Sequence, residues 1–242
     1  MHKHLFISDL HLSPERPEII QLFIQFINNQ ASKAHSLYIL GDLVEYWPGD
    51  DDKAEGLSEA FNCMKEQADK GLKIYLMHGN RDFLMGEALA RRAGCTLITD
   101  PCLIEFNDTP VLLMHGDTLC TDDIRYQAFR AQLRSQQWKE DFLSKPLAER
   151  EQIAQGLRNQ SRAETQNKTE DIMDANADAI IQAFSEHRVA LMIHGHTHRP
   201  AIHRLTVNEK PAKRIVLGDW YSQGSVLEFT DPDTFELKSF AD

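Results

Sequence analysis

Five short stretches of this 242-residue chain carry residue types that bind metal ions: Asp9-Leu10-His11, Gly41-Asp42, His78-Gly79-Asn80-Arg81, His115-Gly116-Asp117 and His194-Gly195-His196-Thr197-His198. Their donors are carboxylate and amide oxygens and imidazole nitrogens, with no thiolate among them. Such a set suits Mn²⁺, Fe or Zn²⁺ better than a soft metal. Asp9, His11, Asp42, Asn80, His115 and two of the histidines at 194–198 make seven ligands. Seven exceed one tetrahedral site and suit two ions sharing a bridging carboxylate. Two ions about 3.5–4 Å apart can clamp a phosphoryl group and generate hydroxide at neutral pH. Singly the stretches are weak: Asp-x-His is common, and Gly-Asp and Gly-Asn are turn signals. Histidines alternating around a glycine are costly to pack without a role. What joins the five is position, because each follows an apolar, strand-like run.

Those runs need a scaffold that brings their ends together. His4–Ser8, Leu37–Leu40, Lys73–Met77, Leu103–Phe106, Val111–Met114 and Val189–Ile193 read as strands. Helical patterns separate the first of them. One opens at Pro17 and repeats Ile19, Ile20, Phe23, Ile24 and Ile27; one covers 56–70 and stops at Gly71; one covers Phe83–Ala93 and closes at Gly94. The order β-α-β-α-β-α-β-β predicts an α/β sheet with helical crossovers. In such a sheet ligands gather where strands end and loops begin. The acidic loop Gly49-Asp50-Asp51-Asp52 reads as a solvated turn.

From Thr121 to Glu186 no strand is legible, and the pattern is helical and polar. This reads as an insertion, 121–186, within a single domain spanning 1–242. Residues 121–170 hold nine Lys/Arg and eight Asp/Glu, formally +1, in a chain that totals -11. The apolar positions from Phe129 to Leu157 read first as packing. Residues 201–207, 213–217 and 225–229 close the chain as an antiparallel run.

The net charge of -11 argues against general nucleic-acid binding. Cys63, Cys95, Cys102 and Cys120 show no CxxC spacing and read as reduced thiols. The N-terminus has no signal-peptide core, and the longest apolar run, Val189–Ile193, is far short of a membrane span. Contact with a membrane would be from its surface.

The order D-x-H, GD, GN, H and GHxH resembles the calcineurin-like metallophosphoesterase superfamily. The resemblance implies two packed mixed β-sheets flanked by helices, with a dinuclear site at one end. Carried over by position, Asp9, His11, Asp42 and His198 would hold one ion, and Asp42, Asn80, His115 and His196 the other. Asp42 would bridge them. GHxH falls on Gly195–His198, so His194 is left as a structural neighbour. The strings ISDLHL, LYILGDL, HGNRDFL, MHGDTLCTDD, IHGHTHRPA and RIVLGDW are similar to those of one family over nearly the whole chain: the UDP-2,3-diacylglucosamine diphosphatases of lipid A biosynthesis. The stretch Glu45-Tyr46-Trp47-Pro48 departs from that family's usual Glu-Ala-Trp-Ile.

That resemblance implies hydrolysis of UDP-2,3-diacylglucosamine to 2,3-diacylglucosamine 1-phosphate and UMP, by attack of a metal-bridging hydroxide on the α-phosphorus. It implies two divalent ions, manganese foremost. Asp42, Asn80, Arg81 and His115 would carry the chemistry. Substrate contacts would fall on Asn80, Arg81, Asp123, Ser161, Thr165, Lys168 and His196. The insertion, with apolar positions and the polar Asp123, Arg158, Ser161, Thr165 and Lys168, would select the diacyl sugar. Relatives that cleave nucleic acids or phosphoproteins place His where this chain has Arg81. A histidine there can protonate a departing alkoxide. A departing phosphate monoester, with a second pKa near 6, needs no such acid, and a guanidinium grips phosphate oxygens in a planar fork. The expected partners are the UDP-diacylglucosamine lipid and a membrane surface, with no nucleic acid and no obligate protein partner. The expected location is peripheral, on the cytoplasmic face of the inner membrane. The rival expectation is a nuclease or nucleotide phosphodiesterase of the same superfamily.

Overall fold

In a computed structural model, which describes residues 2–165, 172 and 174–241 (side chains through 159, then 172 and 174–241), the chain alternates strands and helices before turning all-β. The first half holds β1 (His4–Ile7), α1 (Pro17–Asn29), β2 (Ser36–Leu40), α2 (Ser58–Asp69), β3 (Lys73–Met77), α3 (Glu87–Ala93), β4 (Thr96–Ile98), β5 (Cys102–Phe106) and β6 (Thr109–Met114). Four helices follow: α4 (Ile124–Leu133), α5 (Gln136–Leu143), α6 (Leu147–Thr165) and α7 (Ala177–His187). The chain ends with β7 (Leu191–His194), β8 (Ala201–Val207), β9 (Lys210–Val216), β10 (Gly224–Asp231) and β11 (Thr234–Phe240).

These strands form two mixed sheets, ordered β11-β10-β1-β2-β3-β4 and β5-β6-β7-β9-β8. β1, β2, β3 and β4 are parallel in the first, and β6, β7 and β9 in the second. Phe6, Tyr38, Leu40 and Met77 meet Val111, Leu113, Ile193 and Ile215 between the sheets. The alternate residues, Leu5, Ile7, Ile39 and Leu76, pack outward with Ile20, Phe23, Phe26 and Ile27 of α1 and Phe61 and Met64 of α2. Strands covered on both faces bury every side chain, which is why they read as unbroken apolar runs. The expected α/β architecture of two packed sheets flanked by helices is what the chain forms.

Several boundaries differ from expectation. The helix expected over Phe83–Ala93 begins only at Glu87. Its start is set from a distance: the Asp50 carboxylate accepts from the backbone N–H groups of Gly86 (2.9 Å), Ala88 (2.9 Å) and Leu89 (3.0 Å). A carboxylate on a helix N-terminus satisfies orphan donors and the helix dipole together. The acidic loop is therefore not a solvated turn. Asp51 pairs with the buried guanidinium of Arg150, and Asp52 accepts from Ala54 N–H at 2.8 Å. β4 and β11 were not expected. The first has three residues, and the second is an edge strand whose half-exposed, charged sequence carries no apolar run.

The helical stretch 121–186 divides. α7 packs on the second sheet, with Ile180, Ala183 and Phe184 against Leu112, Met114 and Met192. α4, α5 and α6 instead reach the loops at the strand ends. Asp123 caps α4 by accepting from Tyr126 N–H at 3.1 Å. Arg134 of the α4 terminus donates to Gly79 O at 2.8 Å, and Arg150 of α6 to Pro48 O at 2.6 Å.

Candidate metal centre

The five motifs follow β1, β2, β3, β6 and β7 directly, all parallel strands, so the fold delivers them to one edge. Backbone hydrogen bonds lace the loops together: Asp9 N to Gly41 O at 3.1 Å, His11 N to Asp42 O at 3.0 Å and Gly195 N to His115 O at 2.8 Å. Asp9, His11, Asp42, His196 and His198 all adopt positive φ, between 49° and 68°. Left-handed backbone at non-glycine residues persists only where the surroundings over-determine it, and such residues cluster at functional sites. Gly79 has a steric reason: a methyl there would overlap the Asp42 carboxylate and backbone nitrogen. Asp82 ties two of the loops, accepting from Gly79 N–H at 2.7 Å and Leu43 N–H at 2.8 Å.

Each of three imidazoles has its Nδ1 beside an oxygen and its Nε2 turned to a carboxylate. His115 Nδ1 lies 2.9 Å from Leu40 O, and His11 Nδ1 lies 3.1 Å from Glu45 Oε2. His198 Nδ1 lies 3.3 Å from Asp219 Oδ2. Their Nε2 atoms stand 3.9 Å and 3.8 Å from Asp42 Oδ2 and 3.3 Å from Asp9 Oδ1, respectively. This is the pattern of metal-ligating histidine, with the second nitrogen held by a carboxylate or carbonyl. Asn80 Oδ1 is 3.1 Å from His115 Nε2, and the His196 ring lies 5.0 Å from that of His115. Asp9 Oδ2 accepts from Ser8 Oγ–H and from His196 N–H, leaving Oδ1 without a hydrogen bond.

All seven expected ligands therefore meet in one place, with Asp42 between the His11 and His115 rings. Among the described residues two groups can each surround an ion: Asp9, His11 and His198; and Asp9, Asp42 and His115. The donor chemistry fits divalent ions, with Asp9 Oδ1 and both ring nitrogens of His11 left without a hydrogen bond. His194 stands apart. It is fully buried, its Nδ1 bonds Gly195 O at 2.8 Å, and burial pushes its pKa down to about 4.

Charge in the site is sorted sharply. Burial pushes Asp9 up, but His198, whose Nε2 lies 3.3 Å from Asp9 Oδ1, and the charges of His115 and His11 hold it well below the usual carboxylate range. Burial, with Asp82 and Asp9 nearby, pushes Asp42 up against the pull of His115 and His11. Burial works to lower His115, but Asp42, Asp117 and Asp9 raise it to about 9. Burial likewise opposes protonation of His198, which Asp219 and Asp9 nevertheless raise to about 10. Burial and the charge of His115 lower His196 to about 3. At pH 7 His115 and His198 thus carry protons that an incoming cation must displace. Metal affinity is expected to rise from pH 7 towards pH 9, with about two protons released on binding near pH 7. Titration calorimetry in buffers of different ionisation heat measures the release; pH-independent uptake would contradict it.

A cleft of about 560 Å³ opens beside these ligands. His11, Asp42, Asn80, His196 and His198 line one end, and Arg81, Arg125, Arg158 and Arg199 its flanks. Phe83, Leu84, Phe129, Leu133, Phe142, Ala154 and Leu157 line the rest. The apolar residues of α4, α5 and α6 thus face the cleft as well as packing among themselves. Arg81 keeps its Nε without a hydrogen bond, while its backbone N–H donates to Asp42 Oδ1 at 2.8 Å. Asp123 lines the cleft while capping α4. The expected contacts Ser161 and Thr165, by their side chains, and Lys168 lie outside the described residues.

Sequence reading missed Glu45, Asp82, Asp117 and Asp219. Asp117 is fully buried and accepts from Arg130 Nε at 2.6 Å and Tyr126 O–H at 2.8 Å, joining α4 to the site. Asp219 did carry a signal: Gly218-Asp219 follows an apolar strand just as Gly41-Asp42 does.

Comparison with known proteins agrees with this geometry. Residues 2–200 match the family model for calcineurin-like phosphoesterases. A protein of Ectopseudomonas mendocina named UDP-2,3-diacylglucosamine hydrolase is 48% identical over 98% of this chain and 97% of its own length. One of Stenotrophomonas maltophilia with the same name is 51% identical over 92% and 93%. Among solved structures, an archaeal phosphodiesterase superposes with a TM-score of 0.50 over 98% of this chain and 99% of that one, at 14% identity, a likeness of fold alone. The chain belongs to the calcineurin-like phosphoesterase family, within the group whose curated members are named UDP-2,3-diacylglucosamine hydrolase.

Proposed function

We propose that this protein hydrolyses the diphosphate of UDP-2,3-diacylglucosamine, releasing UMP and 2,3-diacylglucosamine 1-phosphate. The carrying observation is the cleft, which joins a cluster of metal ligands to a long apolar channel across a belt of arginines. A two-chain amphiphile with a diphosphate near its middle has that same order of chemistry. The close relatives' shared name supports the same substrate.

Two divalent ions, manganese in this reading, would supply Lewis-acid polarisation of the phosphoryl oxygens and a water acidified towards neutral pH. Asp9, His11, Asp42 and His198 would hold one, and Asp42, Asn80, His115 and His196 the other. Arg81, which lines the cleft, binds diphosphate oxygens through its guanidinium. Water bonds through its oxygen to the α-phosphorus and releases a proton to solvent as the bond from that phosphorus to the bridging oxygen breaks, and the lipid phosphate leaves with the bridging oxygen. Being a phosphate, it departs without a proton donor, so no histidine is needed at position 81. The phenyl and leucyl walls from Phe83 to Leu157 hold the acyl chains and exclude water.

Reaction in ¹⁸O water tests the assignment. Label is expected in UMP, and label in the lipid phosphate would overturn α-phosphorus attack. Cleavage of DNA or cyclic nucleotides at a comparable rate would favour the nuclease reading instead. Activity is expected to vanish with chelator and return with Mn²⁺.

The same reading places the protein on the cytoplasmic face of the inner membrane, where the acyl chains of the substrate lie. No described helix is long and apolar enough to cross a membrane. Ile124, 77% exposed, and Leu143, 44% exposed, sit within the stretch 121–170 that is formally +1. Vesicle sedimentation before and after neutralising the basic residues of 125–158 tests this. Equal binding would count against it.

A further inference from the structure

One carboxylate is shared between metal ligand His11 and helix α6. Glu45 follows β2, and its backbone N–H donates to Leu12 O at 3.0 Å, which fixes the loop beside His11. Glu45 Oε2 lies 3.1 Å from His11 Nδ1. Its Oε1 accepts from Arg158 Nη2 at 3.0 Å. The Arg158 guanidinium also lies over the Tyr46 ring, 5.4 Å from its centroid. His11 and Arg158 are both buried, at 2% and 8% exposure, so neither contact is a loose surface pair. The ties of the other imidazoles stay with the sheets, from His115 to Leu40 at the end of β2 and from His198 to Asp219 in the loop after β9. The tie of His11 runs through Glu45 into the insertion.

We infer that Glu45 is a positioning residue that couples the seating of α6 on the strand-end loops to the ability of His11 to hold a divalent ion. With α6 seated, Arg158 locks one oxygen of Glu45 and the other orients the His11 ring. With α6 lifted, Glu45 loses the Arg158 contact that orients its carboxylate towards the His11 ring. Such a coupling is reciprocal, so metal binding in turn favours the seated helix. The inference rests on reading this cluster as a divalent-metal centre and holds whatever the substrate is.

The test uses Mn²⁺ alone, without substrate, titrated into metal-free protein and followed by the spin resonance of free Mn²⁺. Glu45→Gln is expected to weaken binding about 10–100-fold. Arg158→Met leaves every ligand in place, yet is expected to weaken binding about 3–10-fold. The double variant is expected to bind no more weakly than Glu45→Gln, because both act through one carboxylate. Mn²⁺ is also expected to slow hydrogen exchange in 147–159 of the wild type and not of Arg158→Met. Wild-type Mn²⁺ affinity in Arg158→Met, or additive losses in the double variant, would overturn the coupling. Should Glu45→Gln not fold, the Arg158→Met titration and exchange decide alone. No Mn²⁺ uptake by the wild type would overturn the metal reading itself, a distinct result.

Discussion

Asp42→Asn is expected to lower turnover by about 10³-fold or more while leaving the fold intact. Asp42 stands between His11 and His115, with Oδ2 3.8 Å and 3.9 Å from their Nε2 atoms. Asparagine keeps the oxygen that accepts from Arg81 N–H but removes the charge two cations would share. Lewis-acid stabilisation of phosphoryl transfer is worth several kcal/mol, and about 1.4 kcal/mol corresponds to a decade of rate. The metal-free protein is expected to melt no lower than the wild type. A carboxyl raised by folding costs stability above its ordinary value of 3.8, and so at pH 7, and that cost disappears with the charge. Turnover with Mn²⁺ and calorimetric melting in chelator are the two measurements. A large fall in melting temperature would mean that Asp42 holds the loops rather than the ions.

Arg81→His is expected to lower kcat/KM for the diphosphate about 10²–10³-fold, the usual cost of removing one well-placed donor to developing negative charge. The backbone N–H of residue 81 keeps its 2.8 Å bond to Asp42, so the ligand set should be undisturbed. Mn²⁺ uptake is therefore expected to stay near the wild-type level. What is lost is the planar fork whose Nε has no protein partner. A phosphodiester with an alkoxide leaving group should suffer less, because histidine can donate the proton that such a group needs. Comparing the two substrates on one preparation reads the ratio. Wild-type diphosphate hydrolysis by Arg81→His would show that the guanidinium does not bind the diphosphate.

Much of the site was legible because its signals are local. Asp9, His11, Asp42, Asn80, His115, His196 and His198 each sit within a few residues of an apolar strand end. Parallel strands place such ends on one edge whatever their separation in sequence. The strands of the sheet centres were legible for a similar reason, since burial on both faces leaves an unbroken apolar run. β11, half exposed at an edge, left no such trace.

What only the tertiary structure decided is which carboxylates serve others. Asp50 caps a helix 36–39 residues away, and Glu45 meets Arg158 across 113 residues. Asp219 reaches His198 from the loop that follows β9. A short acidic side chain reads the same in sequence whether it is solvated, capping or orienting an imidazole, because its partner is set by packing. The helices α4 to α6 show the same limit. Their apolar spacing is that of ordinary packing, and only their placement above the strand ends turns Phe129, Leu133 and Leu157 into the wall of a cleft.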